Sequence, residues 1–311
     1  MLDWALLALV AAQSLDRQSY GEALVADLQA RAWAELANAF RVSEDFGSSE
    51  DALTRGRDVY ERGTGDLLVL ARLIDVEASL RTYQRRLGEA LKLLDRLNRL
   101  YVRLGDTHLA GRALIKKGIN TAYAGRPDEA VSLLRNGLAQ LSPERDPQLI
   151  GIAEYSLLHA LVDGGEFHEA GKLLLSCGLR EAFATEPLNL AKLRWLEGKV
   201  FAGFGKLARA QEVYLEVRSS FLQVGRDYES ALAGLNLASV WLRQGKTSQV
   251  RELAEELVLT FEEAGVRSEA LKAVRFLREA CRRESATPAL AETVGVFLRR
   301  LEWQPQLRFV P

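Results

Sequence analysis

The sequence has two cysteines, three histidines, one methionine and seven prolines among 311 residues, and each scarcity removes a class of chemistry. Cys177 and Cys281 lie far apart within apolar helical patterns. Such a pair builds neither a disulfide framework nor a zinc site; both read as buried thiols in a reducing compartment. His108, His159 and His168 come without an HExxH, a CxxC or a carboxylate cluster, so no metal centre is expected. A Walker loop, a GxGxxG after a strand and a GxSxG elbow are all missing. The stretch ERGTGD (61–66) reads as a turn rather than a phosphate nest, and Ser176 with His168 is too loose a pair for a nucleophile and its base. The chain is therefore expected to be no enzyme, with no cofactor.

Net charge is also lacking. Lys+Arg 41 against Asp+Glu 42 leaves −1, so there is no bulk attraction to nucleic acid or anionic lipid, and direct nucleic-acid binding is disfavoured. No apolar run approaches the length of a membrane span. The N-terminal MLDWALLALVAAQSLD carries Asp3 where a secretory leader needs Lys or Arg. These features predict a soluble, cytoplasmic chain.

What is present is a repeat. Ala90, Ala130, Ala170, Ala210 and Val250 stand forty residues apart, with Ser49 forty-one before Ala90. Gly65, Gly105, Gly225 and Gly265 keep the same period, Arg145 and Thr185 filling the intermediate places. Gly125, Gly165, Gly205 and Gly245 form a third series, with Arg85, forty before Gly125, as the exception. Each unit reads as two helices. In the clearest, Gly125 ends one helix, Pro127 opens the next, and Asp128 and Glu129 complement its N-terminal dipole. Ala130, Leu133, Leu134, Gly137, Leu138 and Leu141 then form an apolar stripe of helical period. Gly118 with Ala130, Gly198 with Ala210, Ala78 with Ala90, and Ala238 with Val250 are the predicted points of close helix approach. A single hairpin cannot bury its stripe, so neighbouring hairpins must stack.

WAELANAF (33–40), GKVFAGFGKLARAQEVY (198–214) and LNLASVWLRQGKTSQV (235–250) place small and aromatic residues as the tetratricopeptide repeat does. The unit of forty resembles the longer repeats of Rap-type receptors and of MalT-type helical domains. The resemblance implies an all-α fold, a right-handed superhelical solenoid of about seven antiparallel helix pairs. The expected divisions are a lone capping helix or truncated half-repeat over 1–16 and repeats over 17–64, 65–104, 105–144, 145–184, 185–224 and 225–264. A divergent cap pair follows over 265–303, then a tail over 304–311 left open among docking back, docking on a partner, and disorder.

In such arrays the first helix of each pair lines a concave groove. The resemblance then nominates Arg31, Asn38, Arg72, Asp75, Ser79, Arg112, Ile115, Ile119, Tyr155, His159, Lys192, Trp195 and Lys199 as groove residues. Spaced cations with aromatic and amide groups between them suit an acidic or carboxylate-bearing peptide, because Arg binds carboxylate bidentately; pairing of the same cations with neighbouring helices is the competing reading. The expected function is a scaffold that binds protein or peptide, with self-association compatible. The alternative is the sensor half of a bacterial transcriptional or signalling regulator, the chain being a fragment whose effector domain precedes residue 1.

Overall fold

The computed structural model describes residues 1–310, and seventeen helices and no strand occur among them. Helix α1 (Leu2–Gln13) and the single turn α2 (Arg17–Tyr20) precede three hairpins. These are α3 (Glu22–Val42) with α4 (Phe46–Tyr60), α5 (Leu67–Tyr83) with α6 (Leu87–Leu104), and α7 (Thr107–Tyr123) with α8 (Pro127–Leu138). Next come α9 (Pro147–Asp163), α10 (Phe167–Ser176), the single turn α11 (Leu179–Ala182), α12 (Pro187–Gly203) and α13 (Leu207–Gln223). The chain ends with α14 (Asp227–Arg243), α15 (Thr247–Glu263), α16 (Ser268–Arg282) and α17 (Pro288–Trp303).

The helices group into two compact units. The first holds Met1–Ala122 with Ser132–Pro147, and the second holds Tyr123–Val131 with the residues from Gln148 onward. In the first unit, Ala30, Ala34 and Ala37 of α3 pack with Leu53 of α4 and Leu73 and Leu80 of α5. Ile74 and Ala78 continue the core to Leu94 and Leu97 of α6 and Ala110 and Ala113 of α7. Helix α1 lays Ala5, Leu9 and Ala12 on Ala32, Leu36 and Ala39. In the second unit, Ala191, Val213, Val217, Phe221 and Ala233 form one cluster. A larger one runs from Tyr214 through Leu235, Leu257 and Leu277 to Val294 and Leu298.

The turns follow the register. Gly125, Gly165, Gly205 and Gly245 all have φ between 73° and 80°, the left-handed region in which a Cβ is strained. Arg85 takes the same conformation at φ 62°, and Glu44, forty-one residues earlier, matches it. A backbone position set by the hairpin is therefore kept even where the side chain opposes it.

The close approaches differ from the expected pairs in one respect. A Cβ on Gly118 would lie 2.7 Å from Leu134, and one on Gly198 would lie 2.7 Å from Tyr214. These glycines admit a large side chain from one turn beyond the small residue predicted to face them. The tightest backbone contact is between Gly111 and Gly137. A Cβ on either would approach the other's carbonyl oxygen to 2.9 or 3.0 Å.

The tail, left open by the sequence, docks on α16 and α17. Phe309 is 3% exposed, its ring tilted against Phe276 and Phe297. Its N–H donates to Glu269 at 2.8 Å and its carbonyl accepts from Lys272 at 3.3 Å.

Candidate binding surfaces on the first helices

In the first unit the successive first helices α3, α5 and α7 bring their charged residues to one face. Asp75 is buried at its floor and receives Lys116 at 2.5 Å, Arg72 at 3.6 Å and Arg112 at 3.9 Å. Arg72 also grips Glu35 with two hydrogen bonds of 2.8 and 2.6 Å. Burial by itself would raise the Asp75 carboxyl, but Lys116 foremost, then Arg112 and Arg72, hold it below the ordinary carboxylate value. Burial pulls the Lys116 ammonium down against the attraction of that carboxylate.

Beside this cluster opens a groove of about 270 Å³, lined by Arg41, Ser79, Thr82, Tyr83, Lys116, Ile119 and Asn120 among others. Arg41 donates to Asn38 at 2.8 Å and lies 4.8 Å over the Tyr83 ring. Ser79 donates to the Asp75 carbonyl at 2.9 Å and stands 3.4 Å from the Lys116 ammonium. Thr82 and Asn120 are joined at 2.7 Å. Arg41, Arg72, Arg112 and Lys116 against Glu35 and Asp75 leave the face with two more cations than carboxylates.

The first-helix face of the second unit is covered by α17. Glu292 accepts from Ser239 of α14 at 2.6 Å, and Arg299 lies 3.7 Å from Asp163 at the end of α9. Trp303 stacks on Tyr123 with centroids 3.5 Å apart, and Gln304 donates to the Tyr123 carbonyl at 3.2 Å. Asp163 also takes His159 at 3.2 Å and Lys199 at 3.7 Å. Burial would raise its carboxyl, yet Lys199 first and then His159 hold it well below the usual range. Lys199 is itself buried beside the Trp195 ring, and burial, reinforced by Arg299, pushes its ammonium down to about 8.

That depression has a sign. Protonated Lys199 is penalised in the folded state below about 8, and the penalty fades as pH rises toward the unfolded value near 10.5. Lys199→Met is thus expected to stabilise the chain at pH 7 by on the order of 2 kcal/mol. The gain should shrink between pH 8 and about 10, as checked by urea denaturation of both proteins across that range.

The residues nominated from the sequence fall into three groups. Arg72, Asp75, Ser79, Arg112 and Ile119 come together with Asn38 on the first unit's face, and Arg31 is exposed on the same helix as Asn38. His159 and Lys199 meet at Asp163, with Tyr155 beside His159 at 6.5 Å between rings. Ile115 is different: it is fully buried, filling the space that Gly137 leaves, so it packs the α7–α8 pair and does not face outward. Trp195 donates to Asn236 at 2.8 Å and lies edge-on to Phe221, a packing position, while Lys192 is half-buried. His108 and His168 are spent elsewhere, on the Ser142 N–H and the Phe204 ring.

Sequence reasoning missed Lys116, Glu35, Asn120, Asp163 and Arg299. Lys116 had a signal, since it stands four residues after Arg112 and so shares its helix face. Arg299 had none, because nothing in its own segment says which helix it will meet.

No family model matches the sequence, and no curated protein matches it significantly. Solved structures do. BtubC (BKLC) from P. vanneervenii superposes with a TM-score of 0.58 at 12% identity, over 72% of this chain and 91% of that one. A Rap protein complexed with competence and sporulation factor gives 0.57 at 12% identity, over 98% and 93%. A putative kinesin light chain from Podosopora anserina with nearly identical TPR-like repeats gives 0.48 at 17% identity, over 63% and 96%. The chain has an all-α fold of the tetratricopeptide-like kind. No described helix is long and apolar enough to cross a membrane.

Proposed function

We propose that the chain is a non-catalytic protein-binding module whose first unit takes an acidic segment of a partner on the α3–α5–α7 face. One observation carries this reading: Arg72, Arg112 and Lys116 converge on the single carboxylate of Asp75, beside an open groove that also holds Arg41. A partner carboxylate would complete the unbalanced charge and meet Ser79, Thr82 and Asn120 as hydrogen-bonding neighbours. The side chain of Ile119 and the ring of Tyr83 supply apolar contact beside them. Tetratricopeptide-like folds in general mediate protein interactions, which agrees with this use of the surface.

The test is a titration with fluorescein-labelled peptides rich in Asp and Glu, together with neutral counterparts. Arg112 and Arg31 reach solvent, so Arg112→Glu with Arg31→Glu alters the face without opening the core. That variant is expected to bind at least tenfold more weakly, with a shallower salt dependence. Arg209→Glu, exposed on α13, is expected to bind as the wild type does. Unchanged affinity in the double variant would refute the reading.

A further inference from the structure

We propose that a cleft among α1, α2, α3 and α4 binds a nucleoside monophosphate whose base carries an amino group. The cleft encloses about 420 Å³, and Arg17, Gln29, Trp33, Arg55, Asp58 and Arg62 are among the residues that line it. It is separate from the acidic-segment face. Gln29 and Trp33 stand two residues from Arg31 and Glu35 respectively, about half a turn of α3, so they look to the opposite side of that helix.

Three guanidinium groups and one carboxylate meet in the cleft without pairing. Asp58 stands three residues after Arg55 and four before Arg62, the helical spacing at which ion pairs form, yet it pairs with neither. Asp16, the neighbour of Arg17, spends its carboxylate on the start of α2, accepting from the N–H groups of Gln18 and Ser19. Elsewhere in the unit arginines are matched: Arg57 goes to Glu77, Arg72 to Glu35 and Arg81 to Glu50. Among the described residues Arg17, Arg55 and Arg62 have no carboxylate partner, and all three are exposed. The cleft therefore keeps two positive charges in excess. A phosphate monoester carries about −1.5 to −2 at neutral pH, and its three oxygens suit the forked donors of arginine.

The floor of the cleft selects what the phosphate is attached to. Trp33 is half-buried, and the Arg55 guanidinium lies 5.3 Å from the centre of its ring. Flat rings stack on indole and on guanidinium alike. Gln29 is buried and gives its Nε2 to the Ala12 carbonyl at 3.2 Å, which fixes the amide and leaves Oε1 as an acceptor without a protein donor. That oxygen is not sealed from the cleft, so a ligand meets it with an N–H. The ring of a phenyl phosphate has no such donor, whereas the amino group of adenine, cytosine or guanine does. The volume lies at the lower end of the small-ligand range, room for one nucleotide and not two.

The experiment is calorimetric titration of the full chain with AMP, CMP and GMP, and with adenosine, inorganic phosphate and phenyl phosphate as partial ligands. At least one of the three nucleotides is expected to saturate a single site. Adenosine, phosphate and phenyl phosphate are each expected to bind at least tenfold more weakly than that nucleotide. Arg17→Ala with Arg62→Ala is expected to weaken it at least tenfold with the thermal midpoint unchanged, since both side chains are exposed. Arg99→Ala, exposed on α6, is expected to bind as the wild type does. In chain labelled at the indole nitrogens, the Trp33 signal should move on binding while those of Trp241 and Trp303 stay. The proposal is overturned if no nucleotide saturates, if phosphate or phenyl phosphate binds as tightly as the best nucleotide, or if the double variant binds unchanged. Movement of Trp241 or Trp303 with Trp33 still would overturn it too. Acidic peptides engage other residues, so the two readings succeed or fail separately.

Discussion

Asp75→Asn is expected to lower the stability of the chain by about 3–5 kcal/mol. The substitution preserves shape and removes the one carboxylate on which Lys116, Arg72 and Arg112 converge. Lys116 then remains as a buried ammonium with its counterion gone, and an uncompensated buried charge costs far more than the net worth of the pair. Arg72 keeps Glu35, so the loss centres on Lys116. Adding Lys116→Met to Asp75→Asn should recover most of the deficit, because the two sites are directly coupled. The pH dependence follows from the direction of the shift. A depressed carboxyl gives stability that is fully present above its unfolded value near 3.8 and lost as pH falls through the lower folded value. Other depressed carboxylates, Asp163 among them, lose stability in acid as well, so Asp75→Asn should show a smaller loss than wild type, as read from urea midpoints at pH 7 and at about pH 3. A deficit below about 1 kcal/mol at pH 7 would mean that Asp75 is a surface ion pair, contrary to its burial.

Gly111→Val is the second large effect, with an expected loss of about 3 kcal/mol or more. A Cβ at Gly111 would stand 2.9 Å from the Gly137 carbonyl oxygen and 2.8 Å from the Gln140 Cβ. Backbone cannot move aside as a flexible side chain does, so α7 and α8 must separate and loosen the packing of Ile115 between them. Gly88→Ala is the control of opposite sign. No atom lies within 4 Å of where its Cβ would be, and it sits in α6. Helix propensity alone then predicts a gain of about 0.5–1 kcal/mol. Thermal unfolding followed by circular dichroism compares all three proteins directly.

The hairpin register was legible because glycine has a local reason to recur. A left-handed residue must end each first helix, and Gly125, Gly165, Gly205 and Gly245 supply it. Arg85 and Glu44 adopt that conformation without glycine, so the period was readable at those turns only from the small residues that follow. The candidate faces were less legible. Counting positions along α7 nominated Arg112, Ile115 and Ile119, whereas the outward row is Arg112, Lys116 and Ile119, with Ile115 turned into the gap beside Gly137. A step of three or of four both fit a helix of 3.6 residues per turn, and only packing against α8 decides between them. The seat of α17 was not legible at all. Its apolar spacing shows that one face is buried, but α14, α16 and solvent-facing partners all satisfy the same spacing. Phe309 in the tail has no periodic neighbours to announce that it docks.

The central claim is that the α3–α5–α7 face receives an acidic partner, and the five isoleucines report on it most directly. Ile119 lines the groove, Ile74 and Ile115 are buried in the same unit, and Ile150 and Ile152 lie in the second unit. Methyl NMR of isoleucine-labelled chain, titrated with an Asp- and Glu-rich peptide, is predicted to shift Ile119 progressively and saturably while Ile150 and Ile152 stay in place. Saturable binding that moves Ile152 and leaves Ile119 unmoved would contradict the account.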